Sequence, residues 1–158
     1  MANYITYSEA GDFANERLNV DAWDDAVIED GSEVGLIGSL TYKSIAMATA
    51  AIDRLNFIGE KAVKTQDNQF PRGTDTDVPY DIKKATFELA LALLDDKDPE
   101  LEAEDLAVIS QGYANVRSTY DRDVVMPHIS AGIVSLTAWR YLSPYLRNPY
   151  FIDIERIS

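Results

Sequence analysis

The chain's single histidine, His128, stands beside Pro127, and there is no cysteine to join it in holding a metal. A zinc centre would need carboxylates for all its other ligands, a set zinc seldom takes, so a structural histidine is the favoured reading. Nucleophilic catalysis meets the same shortage, because no Gly-x-Ser-x-Gly is present and any triad would have to recruit His128. Paired acids occur at Asp24-Asp25 and Asp95-Asp96. Adjacent side chains point in different directions, however, and charge-rich surroundings offer no apolar pocket to raise a carboxyl pKa. The glycines Gly31, Gly35 and Gly38 match neither a dinucleotide fingerprint nor a Walker loop, and no lysine follows the last of them. Asp75, Asp77 and Asp81 flank Pro79 without EF-hand spacing or a closing glutamate, so they read as turn and cap residues. No catalytic, cofactor-binding or metal-ligating residue is assigned, and the chain is expected not to be an enzyme.

Tyr113, Arg117, Tyr120 and Arg122 interleave aromatic and basic side chains, which can stack single-stranded bases or form a contact between proteins. Net charge weighs on that choice. The chain carries −13 at neutral pH, whereas nonspecific nucleic-acid binding draws its free energy from Lys and Arg neutralising phosphates. The protein contact is therefore favoured. Acids crowd into Glu9–Glu33 and Asp95–Asp105, while arginines at 117, 122, 140, 147 and 156 leave the C-terminal third nearly neutral. Such runs are ordinarily solvated faces, and here they imply two surfaces of different character.

The elements that must position these residues follow from periodicity. Thr6 and Glu9 have capping-box spacing, and Ala10, Phe13, Ala14 and Leu18 recur at helical intervals, which predicts a helix over Tyr7–Arg17. Asp21–Gly38, with Trp23 and Ile28 among acids and three glycines, reads as a loop with one short helical turn. A second helix is predicted from Ser39 or Leu40 to Phe57 on the stripe Ile45, Ala48, Ile52 and Leu55, with Gly59 as its left-handed cap. Lys61–Val78 is a long polar loop anchored by Phe70, and Pro79 opens a helix through Leu94 that is apolar almost all round. After the acidic stretch Glu100–Asp105, Val108–Tyr120 suggests a short hairpin. Ser135 caps a last helix carrying Leu136, Trp139, Leu142 and Leu146, its final turn disturbed by Pro144.

The length of 158 residues, with 46% hydrophobic, suits one compact core. The expectation is a mainly α fold: a bundle of about four helices over residues 1–146, a short β-hairpin, and an extended C-terminal tail over 147–158. No run reaches the roughly 18–20 apolar residues of a membrane-spanning helix, and the first residues lack the form of a signal peptide. A soluble protein that stays where it is made is expected. Two segments are candidates for binding partners. Phe70, Pro71 and Arg72 stand together in the otherwise polar loop, and Arg72 has the fork to bind carboxylates on a neighbour. Tyr150, Phe151, Ile152 and Ile154 make the tail too apolar for a solvated terminus and too short to fold alone.

Several stretches resemble a known family. Tyr4-Ile5-Thr6 with Glu9-Ala10 and Phe13, Ala51-Ile52-Asp53-Arg54-Leu55-Asn56-Phe57 with Gly59 and Lys61, Gln69-Phe70-Pro71-Arg72, and Val78-Pro79 with Ile82-Lys83-Lys84-Ala85 occur in the order seen in small phage proteins of the DnaT-like, or head–tail connector, family. Ser110-Gln111-Gly112, Trp139-Arg140-Tyr141-Leu142 and Pro144-Tyr145-Leu146 are similar to its C-terminal half. Glu29–Gly38 and the tail depart from the pattern. The resemblance implies a structural adaptor subunit in the virion, made in the host cytoplasm and forming a ring, usually of twelve, between the portal protein and the next neck or tail protein. Double-stranded DNA would pass through such a ring without being bound. The DnaT-like label implies instead a single-stranded-DNA-binding protein, and the acidic charge argues for the adaptor. The tail is then expected to dock on a neighbouring protein, with the portal favoured.

Overall fold

The computed structural model describes residues 2–98, 110–113, 116–119 and 126–147, the strand residues by backbone alone. Six α-helices occur among them: α1 (Tyr7–Asn15), α2 (Asp21–Asp30), α3 (Leu40–Asp53), α4 (Tyr80–Leu94), α5 (Pro127–Ser130) and α6 (Leu136–Leu142). Single 3-10 turns follow α2 and α6, at Gly31–Glu33 and Ser143–Tyr145. The fold is mainly helical, with one antiparallel hairpin, β1 (Ser110–Tyr113) with β2 (Val116–Thr119), in the register Ser110↔Thr119 to Tyr113↔Val116. No helix among the described residues is long and apolar enough to cross a membrane.

The centre is α4, because its apolar residues leave no polar face for water. Ile82, Ala85, Phe87, Leu89 and Ala90 are all buried, and α1, α2, α3 and α6 pack around them. Phe87 meets Trp23 edge-on at 5.6 Å and Phe13 at 6.0 Å, and so ties α1 and α2 to the centre. The first half of α3 (Leu40, Lys43, Ser44, Met47) lies beside the end of α4 (Leu93, Leu94), so this pair runs antiparallel.

Local chemistry explains most boundaries. The capping box forms as expected: the Glu9 N–H donates to Thr6 Oγ1 at 3.2 Å, and the Thr6 N–H donates to Glu9 Oε2 at 2.8 Å. Helix α1 ends at Asn15, two residues before the expected Arg17. Arg17 instead turns its guanidinium to the carbonyls of Leu18 and Asn19 and to Glu88. Ser39 caps α3.

The segment expected as a loop over Asp21–Gly38 is corrected in its first part, where α2 has 10 residues. Its acids occupy the outward face while Trp23 and Ala26, three apart, are buried. Tertiary burial of Trp23 between Tyr7 and Phe87 outweighs the helix's weak amphipathic pattern. Gly35 is required where it stands. Its φ is +71°, and a Cβ there would come within 2.8 Å of the Tyr7 side chain.

Helix α3 ends at Asp53 and not at Phe57. Gly59 does have a positive φ, +80°, but it lies in the following loop, and the α3 cap is Arg54. The single turn α5 was not foreseen. It buries Ile129 and His128, whose ring lies 6.5 Å from Trp139, and burial holds the imidazole below its ordinary pKa. Ser135 caps α6, and Pro144 falls in the 3-10 turn. Glu100–Asp105, Tyr120, Arg122 and the tail residues Tyr150, Phe151, Ile152 and Ile154 lie outside the described residues.

Candidate functional site

Residues 54–79 form no regular helix or strand, yet their backbone is held from both sides. Carbonyls in a segment without ladder partners need donors from elsewhere, and Arg72 supplies them. Its Nε donates to the Ile58 carbonyl at 3.0 Å, its Nη1 to Gln69 Oε1 at 2.8 Å, and its Nη2 to the carbonyls of Phe57 and Gly59. The guanidinium also lies about 6 Å from the rings of Phe57 and Phe70. Lys61 and Arg72 form an antiparallel bridge, and the Ala62 N–H donates to the Pro71 carbonyl at 3.0 Å.

Phe70 is buried among Tyr4, Phe57 and Tyr145, with ring centroids at 5.9, 4.7 and 6.0 Å. Beneath it, Asp53 Oδ1 accepts from the Tyr4 hydroxyl and from the Gln69 N–H, so the end of α3, the N-terminal strap and the loop share one carboxylate. Burial, reinforced by the Asp53 carboxylate, pushes the Tyr4 hydroxyl pKa well above its ordinary value and keeps it a donor. Tyr145 is raised in the same way, by burial and then by Asp81, whose Oδ2 accepts its hydroxyl at 3.2 Å.

The root of the tail closes on this loop. Phe57 and Leu146 form an antiparallel bridge, the Ile58 N–H donates to the Tyr145 carbonyl at 2.8 Å, and the Arg147 N–H donates to the Asn56 carbonyl at 2.9 Å. The structure thus brings the long loop against residues 145–147, at the end of the body formed by the close of α3 and the start of α4, while Tyr150, Phe151, Ile152 and Ile154 lie outside the described residues. Within that site Phe70 and Arg72 face inward and organise the loop. Its exposed residues include Ile58, Val63, Lys64 and Arg147 together with the acids Glu60, Asp67, Asp75 and Asp77.

Six basic side chains, Arg17, Lys61, Arg72, Lys83, Lys84 and Lys97, are committed within the chain among the described residues. Lys83 pairs with Glu9 at 2.6 Å, Lys84 with Glu16 at 3.2 Å, Arg17 with the buried Glu88 at 2.8 Å, and Lys97 with Asp95 at 3.5 Å. Lys61 donates to the carbonyls of Gln66 and Asp67. Tyr80 is exposed, but Lys84 beside its ring is the residue tied to Glu16. Among the described residues no group of three His, Asp or Glu side chains is placed to hold a metal.

A family model described as "Putative DnaT-like ssDNA binding protein" matches residues 3–156. The chain belongs to that family. No curated protein and no solved structure matches it. The family's description speaks of single-stranded DNA and says nothing of a connector. Among the described residues of this DnaT-like chain, Tyr4, Phe13, Trp23, Phe57, Phe70, Phe87 and Trp139 are buried and not open to stacking on bases. Sequence reasoning missed Asp53 and Tyr4 as organisers of the loop. It also missed Met47, which is exposed on α3. Met47 does carry a signal, because it is an apolar residue off the Ile45, Ala48 and Ile52 stripe.

Proposed function

We propose that this chain is a structural assembly subunit, the head–tail adaptor of a tailed phage, forming a ring, usually of twelve, that meets the portal protein on one side and the next neck or tail protein on the other. The observation that carries this reading is the joining of the long loop to the root of the apolar tail, which gives one end of the body a continuous surface built from two segments. Such a surface is suited to protein contacts: its exposed residues include the apolar Ile58 and Val63 and charges of both signs, among them Lys64, Arg147, Glu60 and Asp67. The protein would reside in the virion and use no cofactor. A ring of twelve would carry on the order of −150 formal charges, twelve times the −13 of one chain, which favours passage of double-stranded DNA without adhesion.

The family description favours a second reading, single-stranded-DNA binding. Its physical requirements are free cations beside exposed rings, and the intrachain pairs of Lys83, Lys84 and Arg17 count against it. Titrating a fluorescent oligonucleotide with the purified chain at low salt separates the two. The adaptor reading expects no saturable binding at micromolar protein and expects the chain in intact virions at about the copy number of the portal. Tight binding that weakens steeply with salt, together with absence from virions, would establish the DNA-binding reading instead.

A further inference from the structure

Helix α2 and the turn after it present apolar side chains to solvent for which the fold has no use. Ile28 is exposed near the end of α2, and Leu36 and Ile37 are exposed between two glycines of positive φ, Gly35 at +71° and Gly38 at +105°. Single exposed apolar residues are ordinary on a protein surface, but here they gather. Asp30, two residues after Ile28, accepts from the Leu40 and Thr41 N–H groups, so the end of α2 meets the start of α3 with the turn between them.

The turn is held in shape. The Leu36 N–H donates to the Glu33 carbonyl at 2.9 Å, the Gly35 N–H to Thr41 Oγ1 at 3.0 Å, and the Ser39 N–H to the Leu36 carbonyl at 3.0 Å. Gly35 packs against the Tyr7 side chain. Leu36 and Ile37 therefore stand on a backbone that loses little freedom when they are covered, which is what favours binding through a projecting apolar pair. We infer that this turn and the outward face of α2 dock on a different protein, one that offers an apolar pocket ringed by lysine or arginine. The inference deepens the assembly reading, on which it rests, by giving the chemistry of one neighbour.

Charge selects that neighbour. Asp21, Asp24, Asp25 and Glu29 are exposed on the same side of α2 as Ile28, and Glu33 is exposed at the turn. None of these five acids has an ion pair among the described residues. Lys43, one turn into α3, is the nearest exposed cation along the chain. Five carboxylates against one ammonium repel nucleic-acid phosphates and anionic lipid, and a second copy at −13 is repelled as well. A basic surface is attracted, and its encounter with the exposed pair is steered.

Because the chain has no cysteine, Ile37→Cys can carry a single photoreactive benzophenone. Ile37 is 87% exposed, so the labelled full-length chain should keep the wild-type helical circular dichroism and thermal midpoint. Joined to phage particles that lack the native chain and irradiated, it should link to another protein, at a peptide in which lysine and arginine outnumber acids. A link to a second copy, a link to an acidic peptide, or no link from a bound chain would overturn the inference and leave the assembly reading standing. Ile37→Ser should weaken joining to the same particles about tenfold or more, since the isoleucine no longer leaves water. Glu29→Lys with Glu33→Lys should weaken it too and flatten its dependence on salt. Unchanged joining by either variant would equally overturn the inference. So would a wild-type chain that sediments with phosphatidylcholine vesicles when Ile37→Ser does not, which would mark a membrane as the occupant. A wild-type chain that joins no particle and is absent from virions would end the assembly reading together with this one.

Discussion

Arg72 and Arg17 show how a cation is used when a chain has many acids but its loops have orphan carbonyls. Arg72 was legible as a bidentate side chain, and the abundance of carboxylates pointed to one of them as its partner. Within the chain it bonds mainly the carbonyls of Phe57, Ile58 and Gly59, because an irregular segment leaves these groups without ladder donors. No periodicity in the sequence marks such a need. Arg72→Ala should lower unfolding free energy by about 1–2 kcal/mol in urea titrations, since it leaves the part-buried Phe57 and Gln69 acceptors without their donor while the exposed Ile58 and Gly59 carbonyls turn to water. Arg72→Lys should recover less than half of that, lacking the planar fork. An unchanged denaturation midpoint in both would show that the loop holds itself without the guanidinium. Glu88, 6% exposed, depends on Arg17 in the same one-sided way. Arg17→Ala leaves a buried carboxylate unpaired and should cost about 3 kcal/mol, more than Glu88→Gln, in the same titrations.

Among the elements, helices with a firm stripe or a cap were readable: α3 from Ile45, Ala48 and Ile52, α4 from its continuous apolar run, and α1 from Thr6 and Glu9. Helix α2 was not, because five of its ten residues are acids, and the burial of Trp23 depends on Phe87, sixty-four positions away. Its last residue matters beyond the helix. Asp30 accepts from the Leu40 N–H at 2.6 Å, the Thr41 N–H at 2.9 Å and the Thr41 hydroxyl at 2.7 Å, and so serves as a cap for α3 supplied from α2. Burial alone would raise the Asp30 carboxyl, but the donors of Thr41, Leu40 and Ser39 outweigh it and hold the pKa below the ordinary range. Glu9 is held low in the same manner, its burial outweighed by Lys83 and Thr6. A depressed carboxylate contributes stability that is full above its unfolded pKa and lost as pH falls through the folded one. Thermal midpoints should therefore hold steady down to about pH 5 and fall below about pH 4, and Asp30→Asn should start lower and fall less steeply. Parallel curves for the two proteins would rule out Asp30 as a source of the acid loss.

At the scale of the molecule, the net charge and the mainly helical class were readable because they are sums, insensitive to where any one residue sits. The meeting of loop and tail was not readable, since Asn56 and Arg147 are ninety-one positions apart and their contact is between backbone groups, on which side-chain pattern is silent. Leu146 is 5% exposed and bridges to Phe57, Tyr145 packs on Phe70 and bonds Asp81, and the Arg147 N–H, in the last of the described residues, donates to Asn56. The body should therefore be complete at Arg147. A chain ending there should melt within a degree or two of the full chain, because nothing that closes the Phe70 cluster has been removed. A chain ending at Ser143 loses Leu146 from the core along with the Tyr145 contacts, and should lose about 3 kcal/mol or more of unfolding free energy. Guanidinium titrations of the two truncations side by side check this. Equal losses would mean that the tail packs on its own body and is not available to a partner, which would remove the physical basis for a docking tail.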